Sequence, residues 1–179
     1  MLRVFISSII FIIALYTGTG GYLILQNEQL YEHAQTLEKK VVRYGKVCFD
    51  NKEVMKAALE QDKIAMVYPY ALKIPSFLSF LLTAISFGII GAYGNIINDT
   101  IKHKRQFKDT QNLLLVPVQG GIIGIIILGI SYTIPVILTN ENVSLKPITV
   151  VFLCLFGGIF YLKFYDWIIS KINKVLFPD

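Results

Sequence analysis

The sequence predicts an all-α membrane protein: four transmembrane helices with a helical hairpin in the first loop. Three observations carry that prediction. The chain is 54% hydrophobic and only 16% charged, with a positive mean hydropathy, whereas soluble domains average about 25% charged residues. Residues 113–138, LLLVPVQGGIIGIIILGISYTIPVIL, run through 26 positions without an ionisable side chain. At about 1.5 Å per residue that exceeds the roughly 30 Å hydrocarbon core of a bilayer. Small residues also recur in helical register along two of the apolar runs, as tight helix crossings in lipid require.

Residues 4–25, VFISSIIFIIALYTGTGGYLIL, follow Arg3 and form the first predicted span. The apolar run is long and no A-x-A-like site follows it, so it reads as an uncleaved signal-anchor. Gly18, Gly20 and Gly21 near its far end permit close approach of another segment.

Residues 26–73 change character, with eight Lys/Arg and seven Asp/Glu over 48 positions. Leu30, Ala34, Leu37, Val41, Tyr44 and Cys48 recur at spacings of four and three, which predicts the a/d seam of a coiled-coil-like helix. That helix could continue the first span. Asp50 followed by Glu53 reads as an N-cap with a capping-box acid opening a second helix over about residues 51–66, with Val54, Met55, Ala58 and Leu59 on its apolar side. The pair is either a docking or sensing module or a cap on its own bundle.

Residues 74–97 form the second predicted span, with Pro75 suited to its first turn. Ala84, Gly88, Gly91 and Asn95 make a flat stripe along it. Residues 98–112 form a loop carrying Lys102, Lys104, Arg105 and Lys108. The third span, residues 113–138, carries Gly120, Gly121, Gly124 and Ser131, and Gly120 with Gly124 makes a GxxxG. Matching small-residue faces predict that these two spans pack on each other or on a neighbouring protomer. After a short turn at residues 139–147, the fourth predicted span covers residues 148–169 and includes Gly157. Lys163 and Asp166 lie among Phe160, Tyr161, Phe164, Tyr165 and Trp167, which reads as an aromatic belt with a snorkelling lysine. An intramembrane ion pair is the alternative. Lys171 and Lys174 mark the tail, residues 170–179.

Four spans return Arg3, the Lys102 to Lys108 cluster and the Lys171/Lys174 tail to one side, which predicts cytoplasmic termini. The eight basic residues of the first loop count against that orientation. The net charge of +5 sits in loops and forms no basic stripe with interleaved aromatics, so the bilayer is the expected partner and direct nucleic-acid binding is not. Cys48 and Cys154 fall in a loop and inside a span and cannot pair without burying the loop in lipid, leaving Cys154 as a packing residue.

Chemistry-bearing motifs are missing: no zinc signature, Walker loop, nucleophile elbow or CxxC occurs, and His33 and His103 stand apart. Two sequons, at Asn98 and Asn142, fall on opposite predicted faces. The first three spans hold no Asp, Glu, Lys, Arg or His, unlike proton-coupled transporters and intramembrane enzymes. No catalytic residue, metal or cofactor is therefore expected. The reading is a non-enzymatic sensor or scaffold forming a homo-oligomer through its glycine faces. Two alternatives stand beside it: an accessory transport subunit, and a pore lined by Thr17, Thr19, Ser86, Gln119, Ser131 and Thr133.

The layout of a large first loop and short later ones resembles claudin-like tetraspans, but the W…GLW…C…C loop signature of that family is missing. The closing pair PVQGGIIGIIILGISY and FLCLFGGIFYLKFYDWI resembles glycine-rich spans of small bacterial membrane proteins in anti-phage defence operons, such as the Kiwa membrane subunit and type VI CRISPR accessory membrane proteins. That resemblance covers about a third of the chain. It implies an inner-membrane oligomer that senses infection or perturbs the membrane, with a cytoplasmic protein partner, and it carries over no catalytic residue.

Overall fold

The computed structural model describes residues 2–70, 73–103, 112–139 and 146–176. Among them are six α-helices: α1 (Leu2–Gln35), α2 (Lys52–Val67), α3 (Ser76–His103), α4 (Leu115–Thr139), α5 (Pro147–Ile159) and α6 (Tyr161–Leu176). A two-stranded ribbon, β1 (Val42–Tyr44) and β2 (Val47–Phe49), separates α1 from α2. The helical class holds. Val4–Gln35, Ser76–Asn98 and Leu115–Tyr132 are long and apolar enough to cross a membrane, and Pro147–Ile159 is a shorter apolar helix.

α3 is the hub, packing against α1, α4 and α5. Its contacts with α4 and α5 are made backbone to backbone. A Cβ on Gly88 would overlap the Gly120 carbonyl, and one on Gly124 would overlap that of Ala84. On the α5 side, a Cβ on Gly91 would overlap the Leu155 carbonyl and one on Gly158 that of Gly88. Glycine is required here because in lipid the attraction between helices is dispersion, which falls steeply with separation. The gaps beside the stripe are filled by Ile123, Ile127, Val150, Val151 and Cys154, all in one buried cluster.

Two sets of contacts fix how α1 and α3 align. Ser7 and Tyr93 share a hydrogen bond of 2.8 Å, whereas Glu28 and Ser76 meet at the mouth of one cavity. The two helices therefore run antiparallel. The start of α1 and the end of α3 mark one end of the bundle. Glu28, Ser76 and Pro147 mark the other.

Two sequence expectations are corrected. The coiled-coil seam stops short: α1 ends at Gln35, and Leu37, Val41 and Tyr44 lie beyond it. Ala34 is buried, but Leu30, Leu37, Val41 and Tyr44 are exposed. The β-branched and aromatic residues of VVRYGKVCF favour a pleated ribbon, which pairs Val42 with Phe49, Arg43 with Cys48 and Tyr44 with Val47. Its turn needs Gly45, whose φ of 61° lies in the left-handed region.

The second correction concerns residues 148–169, which are not one continuous helix. The helix breaks at Phe160 (φ −101°, ψ 25°), whose N–H bonds to the carbonyls of Gly158 and Phe156. α5, at about 20 Å, is shorter than a hydrocarbon core. Charged Lys163 and Asp166 arrive within two turns of the break, and both side chains are exposed. The alternative of an ion pair between them finds no support, since the ion pair among the described residues joins Lys39 and Asp50 at 3.9 Å on the surface.

Substituting alanine at two glycines of α3 separates packing from propensity. Gly88→Ala places a methyl against backbone and is expected to cost about 1–3 kcal/mol, lowering the unfolding temperature in detergent. Gly94→Ala, with nothing within 4 Å of the new methyl, is expected to leave it unchanged or slightly raised. Equal effects at the two sites would contradict the packing.

Candidate functional site

α2 does not stand away from the bundle as a free hairpin. Asn51 is its N-cap: the side-chain oxygen accepts from the Val54 N–H at 2.8 Å. The amide nitrogen of the same residue donates to the Ala34 carbonyl at 2.7 Å. One buried side chain thus serves an orphan donor of α2 and an orphan acceptor at the end of α1. The predicted cap, Asp50, instead pairs with Lys39 at the surface. From there α2 runs back along α1, with Asn27 donating to the Ala57 carbonyl at 3.1 Å and Ile64 packing on Ile24.

The return ends in a cluster of three tyrosines on α1. The ring centroid of Tyr16 lies 5.0 Å from that of Tyr68 and 5.5 Å from that of Tyr70, and Tyr68 and Tyr70 are 6.5 Å apart. Gly20, one turn beyond Tyr16, makes room: a Cβ there would strike both Tyr68 and Tyr70. Every hydroxyl is engaged. Tyr16 donates to the Val67 carbonyl at 2.9 Å, capping the end of α2. Tyr70 donates to the Thr17 carbonyl at 2.7 Å, and Thr19 donates to the Tyr68 hydroxyl at 3.2 Å.

The cluster is joined to the hub. Thr17 and Ser86 hydroxyls meet at 2.7 Å across the α1–α3 seam, and Gly18 and Gly21 let Ser86, Phe87 and Thr83 close on α1. The polar chain Tyr70, Thr17, Ser86 therefore connects the arm to α3. It consists of hydrogen-bonding hydroxyls that link the arm to the bundle.

The packing residues singled out in the sequence are distributed around α3. Ala84, Gly88 and Gly91 meet Gly120, Gly124 and the α5 backbone, while Gly121 is in ordinary contact with Ile85. Gly157 sits against Ile127 and Ile123. Asn95 is half-buried at the end of the stripe, and Ser131 is buried with its hydroxyl on the Leu128 carbonyl at 2.7 Å. Gly158 belongs with them and was not singled out, although the Gly157–Gly158 doublet was its signal.

The basic residues are a different matter. Lys104, Arg105 and Lys108 lie outside the described residues, and Lys102, Lys171 and Lys174 are placed only by their backbone, in α3 and α6. The proposed pore lining does not assemble within one protomer. Thr17 and Ser86 bond to each other, Thr19 faces Tyr68, and Ser131 is on α4. Cys48 is exposed and Cys154 buried, both free, with the Cys154 thiol 3.6 Å from the Gly124 carbonyl. Among the described residues, no group of three or more His, Cys, Asp or Glu is placed to hold a metal ion.

No family model, curated protein or solved structure matches the chain.

Tyr16→Phe keeps the ring and deletes the donor to Val67. Leaving that carbonyl unpaired should cost about 1–3 kcal/mol locally. Hydrogen exchange is expected to accelerate in the last turn of α2 and to stay unchanged along the glycine stripe of α4. Unaltered exchange in α2 would show that the cluster does not hold the arm.

Proposed function

We propose that this chain is a non-enzymatic, multi-pass sensor or scaffold subunit of a membrane-associated complex, with the bacterial inner membrane as its site and both termini cytoplasmic. The observation that carries this reading is α1 itself. It is one unbroken helix of 34 residues, so the apolar segment and the charged arm share a single rigid rod of about 50 Å. A ligand or partner that shifts α2 must shift α1, because the tyrosine cluster, the cap at Asn51 and the Asn27–Ala57 hydrogen bond tie the two helices together.

The transmitted displacement would reach α3 through the Thr17–Ser86 contact and emerge at the far end of the bundle. Lys102 belongs to the last turn of α3, and Lys104, Arg105 and Lys108 come next in the sequence; this basic run suits an acidic face of a cytoplasmic partner. In this reading the shorter apolar helix α5 makes the fourth crossing together with the start of α6; the glycine faces expected to join protomers are occupied by contacts among α3, α4 and α5 of one chain, so a homo-oligomer would meet through other surfaces of the bundle. The setting of an anti-phage defence or stress complex rests on the glycine-rich closing pair described above.

Purification in mild detergent tests the proposal. A cytoplasmic protein is expected to co-purify with the chain and to be lost when Lys102, Lys104, Arg105 and Lys108 are changed to glutamate. Complex formation unchanged by charge reversal would remove the docking role. Dye leakage from expressing cells or vesicles would favour the pore instead.

A further inference from the structure

The end of α2 and the residues that follow it lie at an unexpected depth. Glu28, Ser76 and Pro147 line one cavity mouth, and Ser76 and Pro147 are the first residues of α3 and α5. They mark the level at which these helices enter the bundle. Gly20 lies about 12 Å and Tyr16 about 18 Å along α1 from Glu28. Tyr68 and Tyr70 sit on Gly20, and Tyr16 bonds to Val67, so the tip of α2 flanks the bundle roughly halfway down one leaflet or deeper.

We propose that this tip, Met66 to Tyr70, is a re-entrant wedge that inserts between the acyl chains of the leaflet on the arm's side. The proposal rests on the membrane reading of the bundle. Met66 is 85% exposed and Val67 57%, so the described residues leave most of both uncovered. At that depth the surrounding medium is hydrocarbon, which apolar side chains of this kind fit and water does not.

Several polar groups of the tip meet the same constraint. In lipid, non-helical backbone persists only where protein satisfies its donors and acceptors. The Val67 carbonyl accepts from Tyr16, the Tyr68 N–H bonds to the Ile64 carbonyl at 2.7 Å, and Pro69 has no N–H to satisfy. Tyr70 turns its hydroxyl inward to the Thr17 carbonyl. The charged residues lie higher: Glu60, Asp62 and Lys63 are exposed near the level of Ile24, about 6 Å below Glu28. That is head-group territory, where long charged side chains reach water.

Spin labels read the depth directly. In a Cys48→Ser background, with Cys154 left in its buried position, single variants Met66→Cys, Glu53→Cys and Ile122→Cys are labelled in the full chain. The proteins are reconstituted in vesicles of phosphatidylcholine and phosphatidylglycerol. Met66 is exposed, so its replacement leaves the packing intact. Collision with oxygen relative to a water-soluble nickel chelate is expected to be several-fold higher at Met66 than at Glu53, and to approach the value at Ile122, an exposed residue of α4. A Met66 label as open to nickel as Glu53, with Ile122 still in lipid, would overturn the wedge alone. Nickel access at Ile122 as well would overturn the membrane reading and the wedge with it.

Discussion

The approach of α3 to its neighbours at backbone distance is the constraint on which the rest depends. With no water to expel, helices in lipid hold together by close atomic contact and by hydrogen bonds. Gly88 serves both sides of the hub at once: it lies against Gly120 of α4, and its carbonyl lies against Gly158 of α5. No side chain larger than hydrogen fits at these crossings without moving a helix. The third side of α3 is built differently. Toward α1 the seam adds polar contacts, with Ser7–Tyr93 and Thr17–Ser86 in hydrogen bonds, beside the close approach that Gly18 and Gly21 allow.

The apolar helices and the glycine contacts were legible in the sequence because both are local. A long uncharged run needs no partner to be recognised, and Gly88 with Gly91 faces a neighbour wherever the helix goes. The arm was harder to read because two periodicities overlap there. Leu37, Val41, Tyr44 and Cys48 fit a heptad by spacing, yet they are also drawn from strand-forming types grouped around a glycine, and the turn chemistry of Gly45 decided the outcome. At the start of α2 the choice between Asp50 and Asn51 was settled by burial. The cap position is enclosed, and a neutral amide with both a donor and an acceptor suits it better than a carboxylate.

The tyrosine cluster was not legible at all, for a physical reason. Tyr16 is far in sequence from Tyr68 and Tyr70, and it meets them only because α2 folds back along α1. Aromatic residues near the ends of apolar runs read first as interfacial anchors, which is a property of single residues rather than of their assembly. The break at Phe160 was hidden similarly. Apolar content continues across it, so composition carries no mark of the break.

The double role of Asn51 has a chemical consequence. Deamidation there would keep an oxygen for the Val54 N–H and replace the nitrogen that donates to the Ala34 carbonyl with a second oxygen. An attraction between two helix ends would become a repulsion between like dipoles in an enclosed space. Ageing of this one amide would loosen the arm from its root while leaving the glycine crossings untouched.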